Sequence, residues 1–309
     1  MTGVAAERHW PRMDPPNVLW FFGAFTLEAA VYALIEAIPE SQRGVWILVT
    51  ALGFFGGFAL AAALLRRQGW WVPGGLAAAL AVGIFPAVAI AFLKLIEVWP
   101  NKPYFEPFKD FSGWTLGVGI ATALVGLLAW WWTRFSFVLA VAIGAILVSA
   151  QLLTPCLDES PSGDERAAMA LVIGAILFVA GVFLDVFGRR REAFWFEVLG
   201  LFSIAFGLVW LATFDGQPDH GWVPILIASV ALLIAAGPVR RATWAVYGVL
   251  GVYAGVVHYL SKGLDERGWV FPALLIVLSL LFGLLGAAQH RYGRTLAERF
   301  VRRPPPELS

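Results

Sequence analysis

Long apolar runs separated by short polar segments make up most of this chain. Each run is about 20 residues long, the length that a helix needs to cross a hydrocarbon core of ~30 Å. Lipid offers no hydrogen-bond partners to an open backbone, so each run is predicted to be an α-helix. Ten runs fit this description, at residues 17–38, 45–65, 75–98, 114–132, 135–153, 167–187, 194–214, 222–238, 242–261 and 269–287.

This pattern predicts an all-α fold, an integral membrane bundle of ten transmembrane helices. The connections between runs are short, so successive helices are expected to form antiparallel hairpins. The bundle would occupy residues 17–287, between an N-terminal arm at residues 1–16 and a C-terminal tail at residues 288–309.

The basic residues predict the orientation of the bundle. Fifteen of the 22 Lys and Arg residues fall on one side of the predicted spans. Cytoplasmic loops carry an excess of Lys and Arg, so this side is predicted to be cytoplasmic. Both chain ends lie on it, which gives an N-in, C-in topology and agrees with an even number of spans.

Composition supports a membrane protein and disfavours other classes. Hydrophobic residues make up 60% of the chain and charged residues 14%, against about 25% charged in a soluble protein. The net charge of +1 suggests no nucleic-acid partner, and the single cysteine, Cys156, excludes an internal disulfide. The chain has no Gly-rich phosphate loop, no His-Glu-x-x-His motif and no paired Cys/His set, so we expect no metal and no cofactor. An enzyme is therefore the least favoured class.

The first predicted span carries the one ionisable group at a membrane midplane, Glu28. Tyr32 and Glu36 follow it four and eight residues later, on the same helical face. Pro86 lies at the middle of the third span, where it removes a helical hydrogen bond and kinks the helix. A midplane carboxylate beside a kinked helix can form a proton or cation site. The alternative is a structural Glu28 that hydrogen-bonds a neighbouring helix.

Further polar residues lie nearer the predicted outer surface. Lys94 and Glu97 can pair at a spacing of three residues. His258 lies at a similar depth, on a face shared with Gly248, Gly251 and Gly255, and is expected to point at a closely packed neighbour. Together with Glu36, these residues could line an outward-facing vestibule. The alternative is a set of interface residues that pair or reach toward the surface.

An ion-pair cluster and a basic tail are predicted at the cytoplasmic side. Asp185 and Glu197 flank Arg189, Arg190 and Arg191, and a short hairpin could join them as a structural ion-pair cluster. The tail places Tyr292, Leu296 and Phe300 on one helical face among arginines. This pattern predicts an amphipathic helix on anionic lipid, whose lipid-contacting residues are Arg294, Arg299, Arg302 and Arg303.

Two Gly-x-x-x-Gly motifs, Gly53 to Gly57 and Gly251 to Gly255, favour close helix packing and imply no substrate.

The second half of the chain resembles a group of uncharacterised bacterial multi-pass membrane proteins. The resemblance covers mainly residues 189–289. It rests on Ala193-Phe194-Trp195-Phe196, on Arg240-Arg241 followed by Tyr247-Gly248-Val249-Leu250-Gly251, on His258-Tyr259-Leu260, and on Phe271-Pro272 at the start of the last span. It implies a bacterial membrane protein and no particular activity, and we expect the chain to lie in a bacterial cytoplasmic membrane.

Two functions follow as hypotheses. The first is a transporter-like protein for a small solute or ion, with Glu28 at its centre. The second is a non-transporting scaffold or sensor that binds lipid or a protein partner. A polar cavity reaching Glu28 would favour the first, and a dry, fully packed bundle would favour the second.

Overall fold

The computed structural model describes residues 15–38, 43–99, 108, 112–157, 162–214, 219–239 and 241–263. Within these ranges the regular secondary structure is entirely α-helical. The helices are α1 (Pro15–Glu36), α2 (Arg43–Arg67), α3 (Trp71–Leu95), α4 (Gly113–Thr133), α5 (Ser136–Leu157), α6 (Gly163–Val186), α7 (Arg190–Phe214), α8 (Asp219–Val239) and α9 (Ala242–Gly263).

The helices match the first nine predicted spans to within a few residues at each end. Seven of them, α1 to α7, are long and apolar enough to cross a membrane, and α8 contains a shorter apolar stretch at Gly221–Gly237. The predicted tenth span at residues 269–287 and the basic tail at residues 288–309 lie outside the described residues. An all-helical, multi-pass membrane fold is therefore supported.

A capping residue explains why one helix begins earlier than predicted. Helix α6 begins at Gly163 rather than at residue 167 because Ser162 caps it. The Ser162 hydroxyl accepts a hydrogen bond from the Glu165 backbone N–H, and the Glu165 carboxylate accepts one from the Ser162 N–H at 2.8 Å. This reciprocal capping box satisfies two N–H groups that a helix start otherwise leaves unpaired.

The chain divides into two compact units, residues 1–203 and 204–309. In the first unit, α3 packs against α1, α2, α4 and α5. Its first half, Gly74 to Val82, is buried throughout and rich in alanine. The Phe135 ring fills the space in which a side chain at Gly75 would lie. Small residues thus allow four helices to approach α3 closely.

Aromatic rings and glycines join the other helices of the first unit. Phe137 on α5 contacts Phe21 of α1 at 5.2 Å and Trp195 of α7 at 5.4 Å between ring centroids. On α7, Gly200 lies against the α6 backbone at Phe178, where an added Cβ would be 2.7 Å from the Phe178 nitrogen. These contacts fix α1 against α5, α5 against α7, and α6 against α7.

In the second unit, α8 and α9 form an antiparallel hairpin that uses a glycine face. Gly248 meets Leu233, Gly251 meets Ser229, and Gly255 meets Leu226. The prediction of close packing at Gly251-x-x-x-Gly255 is therefore confirmed. At the other motif, a Cβ added to Gly53 or Gly57 meets nothing within 4 Å in the described part of the chain. Among the described residues, close packing at this motif is therefore not found.

Candidate functional site

The side chains best suited to binding or proton transfer lie where α1 meets α3. Glu28 is half-buried on the face of α1 that contacts α3, and its Oε1 lies where a Cβ of residue 83 would be. Gly83 has no side chain, so the carboxyl group can rest against the α3 backbone. One turn further along α1, the Tyr32 hydroxyl donates a 2.7 Å hydrogen bond to the Gly83 carbonyl.

Pro86 lies one turn beyond Gly83 within α3. Proline has no backbone N–H, so the carbonyl of Val82, four residues earlier, lacks its usual helical donor. Glu28 and Tyr32 therefore meet α3 next to the interruption in its hydrogen-bond ladder. The structure brings Glu28 and Tyr32, which share a face of α1, against the α3 segment next to Pro86.

The immediate environment of Glu28 is poor in charge. Within the described residues, no basic side chain forms an ion pair with it. A carboxyl group placed this way can bind and release a proton or hold a small cation, and the Tyr32 hydroxyl adds a second polar oxygen. Within the part of the chain that the structure describes, no group of three or more His, Cys, Asp and Glu side chains could hold a metal ion.

Glu36 does not join this site. It is the last residue of α1 and is exposed, two turns beyond Glu28. The predicted vestibule residues on α3 are exposed as well. Lys94 lies in the last turn of the helix, and Glu97 follows it.

The structure gives Glu97 a backbone role. Its φ of 58° is left-handed, and the next residue, Val98, donates a 3.0 Å hydrogen bond back to the Leu93 carbonyl. This geometry ends the helix. The predicted third span, which extended to residue 98, therefore ends at Leu95, and no Lys94–Glu97 ion pair is found in the described region.

His258 lies in the second unit. Its ring stacks on that of Trp222, with centroids 4.3 Å apart and planes 14° from parallel, and Tyr259 packs edge-on against it. The expectation that His258 points at a closely packed neighbour is confirmed. Its membership of a vestibule with Glu36 and Lys94 stays a prediction.

The predicted inner charge cluster lies where α6 ends and α7 begins. Arg190 Nε lies 3.5 Å from Asp185 Oδ1, with Arg190 mostly exposed and Asp185 mostly covered. Arg189 is exposed, and Arg191 is half-buried at the start of α7. Glu197 is 1% exposed and lies against Gly181, about one turn of α6 away from Asp185. Glu197 is thus more deeply buried than its position near the start of α7 suggests.

Two features of the structure were not predicted from the sequence. Gly83 was not singled out, although a small residue one turn before a mid-span proline is the available signal. Arg66 was counted only as a cytoplasmic charge, whereas in the structure its guanidinium Cζ lies 5.1 Å from the Trp71 ring centroid and 5.0 Å from that of Trp132. The tail residues Arg294, Arg299, Arg302 and Arg303 lie outside the described residues.

The fold defines a class: the part of the chain that the structure describes is all-helical, with seven helices long and apolar enough for a multi-pass membrane protein. Comparison with protein-family models, with curated proteins and with solved structures finds no match. The resemblance of the second half to a group of bacterial membrane proteins therefore stays a prediction.

Proposed function

We propose that this protein is a transporter-like carrier of a small solute or ion, and that Glu28 is the group whose protonation is coupled to movement. The observation that supports this most directly is the contact between the Glu28 carboxyl group and the α3 backbone at Gly83. An acid in the middle of an apolar span is costly, and such groups usually mark a substrate, ion or proton pathway.

The surroundings of Glu28 suit a coupling group. Its state of protonation changes how favourably its carboxyl group rests against α3. Tyr32 holds the same stretch of α3 through the Gly83 carbonyl. Pro86 interrupts the helix one turn away, and proline positions are where helices bend. A change at Glu28 would thus act on α3 at its most easily bent segment.

The test uses the full-length protein in liposomes that contain a trapped pH-sensitive dye. An imposed pH gradient, with membrane potential clamped by potassium and valinomycin, reports proton movement. We expect the wild type to dissipate the gradient faster than empty liposomes and Glu28→Gln to lose this effect. The matched control is Glu36→Gln, which neutralises an exposed acid on the same helix and should behave as the wild type.

Equal proton flux for wild type and Glu28→Gln would remove the coupling role of Glu28. A wild-type rate equal to that of empty liposomes, with the protein correctly inserted, would instead favour the second candidate, a scaffold or sensor that binds lipid or a protein partner. The low burial of α1, with 11% of its spanning window buried, supports this second candidate because it leaves most of that helix for such contacts.

The finer architecture is part of the same proposal. It comprises ten spans, an N-in, C-in topology in a bacterial cytoplasmic membrane, and a tail at residues 288–309 on anionic lipid. The excess of arginine on one side of the spans supports the topology. The arginines and the apolar spacing of Tyr292, Leu296 and Phe300 support the lipid contact.

A further inference from the structure

The ends of α2 and α4 are tied together by Arg66. Its guanidinium Nη1 donates a 2.7 Å hydrogen bond to the Trp132 carbonyl, and its Cζ lies close to the faces of the Trp71 and Trp132 rings. These contacts hold the charge in place beside two indoles through cation–π attraction. Among the described residues, the Trp132 carbonyl is the acceptor that Arg66 uses.

Two further arginines lie at this end of the first unit. Arg67 follows Arg66 as the exposed last residue of α2. Arg134 follows the end of α4, two residues after Trp132, and is also exposed. Because Arg66 joins α2 to Trp132, all three arginines belong to one bundle end. We call Arg66, Arg67 and Arg134 the arginine cluster.

The backbone at Arg134 ends α4. Its φ of 53° is left-handed, as that of Glu97 is after the end of α3, and its N–H caps α4 by bonding the Trp130 carbonyl at 2.7 Å. The Arg134 Cζ lies 5.9 Å from the Trp130 ring centroid. A second guanidinium of the arginine cluster therefore lies beside an indole at this bundle end.

The arginine cluster has no carboxylate to neutralise it within the helices that carry it. Residues 43–95 and 112–157, which include α2 to α5, contain no Asp or Glu. The nearest acid along the chain after α3 is Glu97, at the opposite end of that helix. Arg190 differs, since Asp185 lies 3.5 Å from its Nε.

We propose that the arginine cluster binds the phosphate of an anionic phospholipid headgroup. Guanidinium groups present paired N–H donors that match phosphate oxygens, and Arg is favoured for this recognition over Lys. Exposed Trp70, Trp131 and Trp132 flank the cluster, and tryptophan is enriched at the headgroup level of membranes. Basic pockets between helices at this level bind anionic headgroups. This proposal uses none of the tail residues and does not depend on the transport proposal.

The test measures lipid retention by full-length protein in neutral detergent, using native mass spectrometry during titration with phosphatidylglycerol. Phosphatidylcholine serves as the zwitterionic lipid, and glycerol 3-phosphate serves as the soluble phosphate. The test variant combines Arg67→Gln with Arg134→Gly, because glycine keeps the left-handed turn while removing the charge. The matched control combines Arg189→Gln with Arg190→Gln, which removes the same number of charges near Asp185. Every variant keeps the tail, so the contribution of the tail cancels.

We expect wild type and control to retain phosphatidylglycerol over phosphatidylcholine. The test variant should bind phosphatidylglycerol about 25-fold more weakly, at about fivefold for each basic residue removed near a lipid headgroup. Arg67→Lys with Arg134→Lys should recover only part of the binding, because an ammonium group restores the charge but not the paired donors of a guanidinium. The proposal fails if wild type shows no preference for phosphatidylglycerol, or if test variant and control weaken equally. Saturation of the site by glycerol 3-phosphate at the same concentration would overturn the lipid assignment in favour of a soluble phosphate.

Discussion

Tyr32→Phe tests the contact between α1 and α3 with the smallest possible change. The substitution removes one hydroxyl and keeps the ring. The hydroxyl donates to the Gly83 carbonyl at 2.7 Å, which is the most common length for an O–H to O bond. Tyr32 is 38% exposed, on a surface that the apolar character of α1 assigns to lipid rather than water. A freed Gly83 carbonyl would therefore find few new donors.

The expected cost follows from measurements on hydrogen bonds between membrane helices, which average about 0.6 kcal/mol and reach about 1.7 kcal/mol. The Tyr32 bond has good length and lies beside a carbonyl that Pro86 leaves without its helical donor. We therefore expect Tyr32→Phe to lower the free energy of unfolding by about 1 kcal/mol, above the average for such bonds.

The assay is reversible unfolding of the purified protein in mixed micelles of mild detergent and dodecyl sulfate. Tyr253→Phe is the matched control, because Tyr253 is exposed on α9 and no hydrogen bond of its hydroxyl occurs within the described residues. It should change the free energy of unfolding by less than about 0.5 kcal/mol, the usual limit for a substitution that disrupts no buried contact.

A double-mutant cycle with Pro86→Ala tests the role of Pro86. Alanine restores an N–H at position 86 and with it the helical bond to Val82. If the Tyr32 bond compensates for the interrupted ladder, Tyr32→Phe should cost less in the Pro86→Ala background, with a coupling of roughly 0.5 kcal/mol or more. An equal cost in both backgrounds would refute the link to Pro86. No cost in either background would show that the Tyr32 bond does not stabilise the fold.

Two further predictions address the topology and the tail. Cysteines introduced at Ser162 and Gly216 should be labelled by an impermeant reagent in intact cells, and a cysteine at Ser309 should not; labelling at Ser309 would reverse the N-in, C-in assignment. A peptide of residues 289–303 should bind anionic over neutral vesicles, and replacement of Arg294, Arg299, Arg302 and Arg303 with Gln should weaken this by on the order of 1 kcal/mol for each charge. Equal binding of the native peptide to both vesicle types would refute the tail anchor.

The positions of the helices could be predicted from the sequence because hydrophobic length is a local property. A run of about 20 apolar residues has one stable form in lipid, and α1 to α9 lie where the runs predict. Their ends depend on single groups outside the apolar pattern. Ser162 extends α6 at its start, and the left-handed backbone of Glu97 ends α3 early. Such caps require attention to individual polar residues that hydropathy alone does not distinguish.

Which helices pack against each other is harder to predict from the sequence. Two similar Gly-x-x-x-Gly motifs have different roles: Gly251 and Gly255 pack against α8, whereas Gly53 and Gly57 meet nothing in the described part of the chain. The motif states that close approach is possible and does not identify the helix that approaches. The central place of α3 has the same origin, since its Ala-rich first half permits contact with four neighbours.

Two of the prolines within helices, Pro155 and Pro86, show how far a candidate site can be predicted. At Pro155, the Gln151 carbonyl loses its helical donor, and the Thr154 hydroxyl of the same helix donates to that carbonyl at 2.7 Å. Every participant lies within five residues, so the arrangement is readable from the sequence. At Pro86, the carbonyl that loses its helical donor is that of Val82, and the Tyr32 hydroxyl donates to the next carbonyl, that of Gly83, 51 residues away in the sequence. Depth in the membrane follows from residue position and a rise of about 1.5 Å per residue, which is why Glu28, Tyr32 and Pro86 could be placed at related levels. The rotation of α1 about its axis is set by steric fit instead, and the missing side chain of Gly83 is what lets the Glu28 face meet α3.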